Sequence, residues 1–315
     1  MKSVVIESGS LVLRDRETPT PGAGDVLIRV HVAGLNAADL LQFRGLYEPP
    51  PEWPKDAPGI ELAGEVIEVG AGVSPELLNK RVCAIVGGGG QATHCVVPAE
   101  HLTFIPEHIS YDEAGCFAEA FITAFDALVR QGQMKAGDRV LISGASGGVG
   151  TSAIQIASSL GAHVIAVTRT PEHHELLKQL GASETINIEQ VVSIERVNVV
   201  LELVGAAHLN LAQHVLSPFA RVVVIGVGGG GSNAELNLLN FMTSRASLTG
   251  STLRARSREE KAEIIAHVNE VLLPLWQNGK IKVIINKTFD FEEAQNAYNF
   301  FAERGKLGKV ALRIS

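Results

Sequence analysis

The chain has 315 residues, 46% of them hydrophobic and 19% charged, with a formal net charge of −7. That balance fits two ordinary globular domains and excludes a disordered chain. It also argues against a nucleic-acid partner held by phosphate neutralisation, and no apolar run approaches the ~20 residues that span a bilayer. The opening MKSVVIESGSLVL lacks the apolar core and cleavage site of a secretory signal and reads as strand, turn at Gly9, strand, so a cytoplasmic location is expected. Cys83, Cys95 and Cys116 form no C-x-x-C pair, and buried, unreactive thiols are expected.

In chain order, the stretch to about residue 118 consists of short β runs broken by Gly and Pro, such as DVLIRVHVAG and KRVCAIVGGGG, which predicts a barrel-like β domain. Near Glu119 strands and helices begin to alternate. DRVLISG predicts a strand, Gly148 to Leu160 a helix, HVIAVT a strand, and Pro171 opens another helix. NVVLELVG and RVVVIGVGGG add two more strands, and this βαβ rhythm predicts a parallel sheet covered on both faces. A long helix from about Arg258 to Asn278 carries Pro274, where a kink or break is expected. The strand IKVIINKTFDF, an amphipathic helix ending at Gly305 and the strand KVALRI close the chain. The expected division is a β domain over 1–119, a nucleotide-binding domain over 120–282, and a return to the first domain over 283–315.

VLISGASGGVGTSAIQIA is the strongest local signal. Gly144, Gly147 and Gly150 lie between a strand and a helix, where they permit a tight turn and let backbone N–H groups approach a pyrophosphate. Ser146, Gly147, Gly148 and Val149 should surround it. The end of the second strand chooses the cofactor. An Asp or Glu there would bond a ribose 2′-hydroxyl, but the chain has Thr168 and Arg169. A guanidinium suits a 2′-phosphate, so NADPH is expected over NADH.

The segment running from Pro21 through GLNAADLLQFRGLY and PGIELAG, together with ASGGVGTSAIQIA, TGSTLRARS and the GKLGKVALRI tail, resembles the medium-chain dehydrogenase/reductase superfamily, in its zinc-independent, zeta-crystallin-like quinone oxidoreductase branch. The resemblance runs essentially end to end. It implies a GroES-like catalytic domain interrupted by a Rossmann domain, an active site in the cleft between them, and a homodimer or homotetramer. Zinc-dependent relatives carry Cys at the position of Asn36 and His at that of Ile60, and neither replacement is a zinc ligand. The four-cysteine structural lobe is also missing, so no metal is expected.

The resemblance further implies roles for single residues. Asn36 would lie near the nicotinamide ribose and substrate, and Tyr47 would face the substrate, able to donate a hydrogen bond or a proton to a developing oxyanion. Thr123 would approach the cofactor from the linking helix. Gly226, Val227 and Gly228, with Gly250, Ser251 and Thr252, would lie beside the nicotinamide, and Lys309 either reaches the cofactor or sits at the surface. Arg254 and Arg256 belong to the signature without an assigned role. Two departures weaken the NADPH expectation: Ile188 stands where many relatives have a tyrosine, and TRTPEHHE lacks their lysine. The expected activity is hydride transfer from NADPH to a quinone or other activated carbonyl acceptor. An enoyl-thioester or enone reductase and a non-enzymatic NADPH-binding protein remain open.

Overall fold

The computed structural model describes residues 1–315. In chain order the elements are β1 (Lys2–Glu7), β2 (Ser10–Asp15), β3 (Asp25–Leu35), α1 (Ala37–Phe43), β4 (Glu61–Val69), β5 (Arg81–Ile85), β6 (His94–Pro98), β7 (Leu102–Phe104), α2 (Tyr111–Ala114) and α3 (Ala118–Phe125). They continue with β8 (Arg139–Ile142), α4 (Gly148–Ser159), β9 (His163–Val167), α5 (His174–Gln179), β10 (Glu184–Ile186), β11 (Val197–Glu202), α6 (Ala206–Ala212), β12 (Leu216–Val224), α7 (Leu238–Ser244) and β13 (Ser247–Gly250). The last are α8 (Arg258–Gln277), β14 (Ile285–Asp290), α9 (Ala294–Ala302) and β15 (Lys309–Arg313).

Two compact units result: Met1–Ile122 with Leu253–Ser315, and Thr123–Thr252. The first unit holds a seven-stranded sheet in the order β14-β15-β3-β4-β5-β7, with β6 also paired to β3. Alternate residues of β3 and β4 (Val26, Ile28, Val30, Leu62, Val66) point into a core shared with Val82, Val97 and Leu312. The predicted β1–β2 hairpin forms, with Ser8 and Gly9 both at positive φ as a two-residue turn of this hand requires.

The second unit is a six-stranded sheet in the order β10-β9-β8-β11-β12-β13, every adjacent pair parallel. Numbered within the unit, that order is the doubly wound dinucleotide-binding topology, reversing direction between β8 and β11. The central strands β8, β9 and β11 are mostly apolar and buried, as strands covered on both faces are.

Two expectations are corrected. The chain returns to the first unit at Leu253, thirty residues before the expected point, because α8 buries its apolar face there. Trp276 stacks on Phe117 at 3.9 Å between ring centroids and donates to Glu113 Oε1 at 2.8 Å. Arg258 pairs with Asp25 at 2.8 Å, and Asn269 donates to the Leu102 carbonyl at 3.0 Å. Nor does Pro274 break the helix, which runs on to Gln277. Pro274 lies on the exposed face, as does Glu270, whose carbonyl loses its partner there and can turn to water.

Candidate active site

In the second unit, the residues expected to hold a dinucleotide gather at the carboxyl ends of the parallel strands. β8 ends in the glycine turn. Gly144 has φ +60°, and a side chain on Gly150 would stand 2.5 Å from the Gly144 carbonyl oxygen, so the helix can start this close to the strand only with glycine there. Gly147 is the N-cap of α4 and makes no side-chain cap. The first-turn N–H groups of α4, including those of Gly148 and Val149, therefore receive no N-cap side chain and are of the kind that can bind an anion.

At the end of β9, Thr168 is buried and Arg169 is exposed. The Thr168 hydroxyl lies 2.7 Å from Ser146 Oγ, and His173 Nδ1 lies 2.9 Å from the same oxygen. At the end of β11 stands Glu202, which the sequence reading missed. Its Oε1 accepts from Ser143 Oγ, Val204 N–H and Gly205 N–H, each at 2.7 Å, and so ties the β11–α6 turn to β8. Burial holds this carboxyl above its ordinary range against those three donors. The loop of Gly226, Val227 and Gly228 follows β12 and interlocks with that turn: Gly230 donates to the Val204 carbonyl at 2.8 Å, and Ala206 to the Gly231 carbonyl at 2.8 Å. After β13, Gly250 leads to Ser251, whose hydroxyl donates to the buried Asp126 at 3.0 Å, and then to the exposed Thr252. Thr123 is buried on α3.

In the first unit, Asn36 caps α1, and its backbone N–H donates to Asp39 Oδ2 at 2.9 Å. Asp39 Oδ1 accepts from Gly59 N–H at 2.9 Å. Burial pushes the Asp39 carboxyl up to about 6 despite both donors. The Asn36 amide is committed on both sides. Its Nδ2 donates to Glu61 Oε1 at 3.0 Å, and its Oδ1 accepts from Lys309 Nζ at 2.5 Å. Lys309 also donates to Glu61 Oε1 at 2.5 Å and to the Leu35 carbonyl at 3.0 Å. Burial alone would lower the Lys309 ammonium, but Glu61, with smaller contributions from other neighbours, outweighs it and holds it above the ordinary lysine value.

Lys309 therefore corrects the expected alternative of a surface position: it is 4% exposed. All three ammonium hydrogens are taken within its own unit, by Leu35, Asn36 and Glu61. A permanent cation thus sits among the acceptors of Asn36 and Glu61, the first at the position where zinc-dependent relatives have their cysteine. Ile60, at the histidine position, is buried and apolar. This donor set does not suit a divalent metal.

Tyr47 lies half-buried after α1. Arg254, left without a role by sequence, sits with its guanidinium 5.1 Å from the Tyr47 ring centroid. It also donates to the Gly87 carbonyl at 2.8 Å and to Gln42 Oε1 at 2.5 Å. The structure thus places Tyr47 against a buried arginine, a cation–π arrangement. No sequence signal pairs residues more than 200 positions apart. Cys83, Cys95 and Cys116 are buried, and burial raises all three thiols.

Comparison with known proteins agrees with this architecture. Residues 22–132 match the family described as "Alcohol dehydrogenase GroES-like domain", and residues 148–270 match "Zinc-binding dehydrogenase". The synaptic vesicle membrane protein VAT-1 homolog of Rattus norvegicus is 30% identical over 93% of this chain and 78% of its own. The quinone oxidoreductase-like protein 2 of Bos taurus is 30% identical over 94% of this chain and 87% of its own. The crystal structure of a human VAT-1 homolog-like protein superposes with a TM-score of 0.85 at 26% identity, over 100% of this chain and 98% of that one. A GroES-like domain joined to a Rossmann sheet, in a fold that implies a nicotinamide cofactor and a small-molecule substrate, makes this chain an oxidoreductase of the medium-chain dehydrogenase/reductase superfamily, in its quinone oxidoreductase-like family.

Proposed function

We propose that the chain is a zinc-independent, NADPH-dependent reductase of quinones or related activated carbonyl acceptors. The observation that carries this reading is Lys309. Its ammonium is bound to Asn36 Oδ1 and Glu61 Oε1, so these two oxygens already serve a protein cation, which supports a metal-free site. Without a Lewis acid, alcohol oxidation is difficult. Reduction of an acceptor whose product oxyanion is delocalised needs chiefly alignment and exclusion of water.

The cofactor half of the reading rests on the end of β9. No carboxylate stands at Thr168 or Arg169 to bond a 2′-hydroxyl, and the Arg169 guanidinium offers a bidentate donor to a 2′-phosphate. The α4 N-terminus at Gly147–Val149 with Ser146 would hold the pyrophosphate. The backbone of Gly226–Gly228 and Gly250–Thr252, with Thr123, would line the nicotinamide. When bound, NADPH supplies the hydride. The chain's own part is to present Tyr47 as hydrogen-bond or proton donor to the acceptor oxygen, steadied by Arg254 over its ring. Asn36, locked by Lys309 and Glu61, contributes a fixed polar wall rather than a mobile ligand.

No helix of the chain is long and apolar enough to cross a membrane, and we read the enzyme as cytoplasmic. A homodimer is the assembly its edge strand favours, as argued below. The deciding experiment measures initial rates of NADPH and NADH oxidation against ortho-quinones, para-quinones, enones and crotonyl-CoA, with and without a chelator. Quinone turnover that prefers NADPH and ignores the chelator is expected. Activity lost to the chelator and restored by Zn²⁺ overturns the proposal, and preferential turnover of crotonyl-CoA turns it into an enoyl-thioester reductase.

A further inference from the structure

His173 ends the short 3₁₀ turn Pro171–His173 and folds back onto the glycine loop. Its Nδ1 lies 2.9 Å from Ser146 Oγ, which lies 2.7 Å from Thr168 Oγ1, which accepts from Thr170 N–H at 3.2 Å. This is a continuous polar chain from the turn that precedes α4 to the end of β9, and it contains no carboxylate. With a neutral ring accepting at Nδ1, Thr168 donates to Ser146 and Ser146 donates to His173. With a charged ring the direction reverses. Nδ1–H then donates to Ser146, Ser146 donates to Thr168, and Nε2–H becomes a second cationic donor. The reversal moves protons and no heavy atom.

We infer that His173 is a specificity-determining residue for the cofactor: its imidazolium joins Arg169 in binding a ribose 2′-phosphate, so the preference for a 2′-phosphorylated dinucleotide depends on the protonation of this ring. The inference rests on the reading that the ribose 2′ position meets the end of β9.

The surroundings fit a ring that is neutral until the phosphate arrives. Burial holds His173 below its ordinary value, with Glu172 favouring the charged form and His174 opposing it. From the other elements, the ring meets the hydroxyl of Ser146, itself bonded to that of Thr168, rather than an anion. On α6, His208 is likewise held low by burial and then by Arg169, with Glu189 opposing. A phosphomonoester with its second pKa at ~6 is largely dianionic at neutral pH. It would raise the bound ring above its free value, so binding takes up a proton. The affinity gained from the phosphate is fully present while the bound ring is charged and is lost as pH rises through its bound pKa. An unphosphorylated dinucleotide lacks that dianion; its pyrophosphate, reaching the ring only through Ser146, is common to both cofactors and cancels in their affinity ratio.

The test is calorimetric titration of the full chain with NADP⁺ and NAD⁺ at about pH 6.5 and 8.5, in two buffers of different ionisation enthalpy, for wild type, His173→Gln, His173→Lys and Arg169→Ala. In the wild type the NADP⁺ to NAD⁺ affinity ratio should fall roughly tenfold between the two pH values, as expected for one charge-assisted bond, and NADP⁺ should take up more protons than NAD⁺. His173→Gln should lower the ratio at pH 6.5 and abolish its fall, whereas His173→Lys should keep the ratio high at pH 8.5. A wild-type pH dependence in either variant overturns the inference. If Arg169→Ala removes the preference while His173→Gln leaves it intact, the 2′-phosphate reading stands and His173 has no part in it. Equal affinity for both dinucleotides in the wild type at both pH values defeats both.

Discussion

Lys309 brings three ammonium hydrogens into a buried site and meets three acceptors, on Leu35, Asn36 and Glu61. The arrangement is stable only when complete. Lys309→Met leaves the Glu61 charge buried without its cation and the Asn36 amide oxygen without its donor, and should cost about 3–5 kcal/mol in urea unfolding. Adding Glu61→Gln should recover part of that loss, and strict additivity of the two substitutions would show that the pair is not coupled. Asp39 works in the opposite sense from most acids. Its carboxyl is raised to about 6 in the fold, against an ordinary value near 4, so the folded state holds its proton longer than the unfolded state does. Its contribution to stability is therefore fully present below about pH 4 and is lost as pH rises to about 6, a change of about 2–3 kcal/mol. The stability of wild type relative to Asp39→Asn, read from unfolding midpoints, should therefore fall as pH rises across that range, and a difference that stays constant would show that Asp39 does not titrate there. For Tyr47, the phenylalanine variant should slow enone reduction more than ortho-quinone reduction, because only the enone requires a proton at carbon. An unchanged ratio would remove the phenol from the chemistry. None of the Lys309 contacts could be read from sequence. Each joins residues about 250 or more positions apart, and the only local hint was a lysine in a strand whose neighbours are apolar.

Among the elements, the turn from β8 into α4 was legible in detail because its causes are local. Glycine spacing, the preceding apolar strand and the following helical period all lie within twenty residues. Gly150→Ala would put a methyl 2.5 Å from the Gly144 carbonyl oxygen. The chain should therefore lose dinucleotide binding by at least about tenfold in titration while its β domain remains folded. The helix α8 shows the complementary failure. Its extent was read from sequence, but helical character says nothing about which unit receives the buried face, and the expected domain boundary came thirty residues late. The partners that decide it, Phe117, Glu113 and Asp25, all lie more than 140 positions upstream. Trp276→Ala should lower stability by about 3–5 kcal/mol, the usual cost of emptying a large aromatic site. Thermal melts followed by intrinsic fluorescence would detect a smaller loss if the stack were superficial. Arg254 belongs to the same class of missed feature. Gln42, Tyr47 and Gly87 are brought to it by folding alone, and Arg254→Lys, which keeps the charge but not the planar fork, should raise KM for the acceptor more than for the nucleotide.

For the molecule as a whole, the parallel sheet ends at β13, whose outer edge has no partner strand. Beside it lies an apolar surface: Leu238 on α7 is 74% exposed and Met242 68%, with Phe219 and Leu248 also open to solvent. An unpaired strand edge flanked by large apolar side chains invites strand addition. A second copy would satisfy it by a two-fold axis that set β13 antiparallel to its mate, joining two six-stranded sheets and covering both apolar surfaces, and this is the homodimer we propose. The other edge strand, β10, has only three residues and carries Glu184, which is engaged with Arg139 and His163, so it offers no comparable surface. Light scattering should therefore give a dimer for the wild type. Leu248→Pro removes the ladder N–H at the edge, and Leu238→Asp with Met242→Asp charges the surface beside it. Each change should yield monomers that still bind dinucleotide, because the glycine turn lies three strands away from β13 in the sheet order. A wild-type monomer at micromolar concentration, or a dimer unaffected by both changes, would place the interface elsewhere.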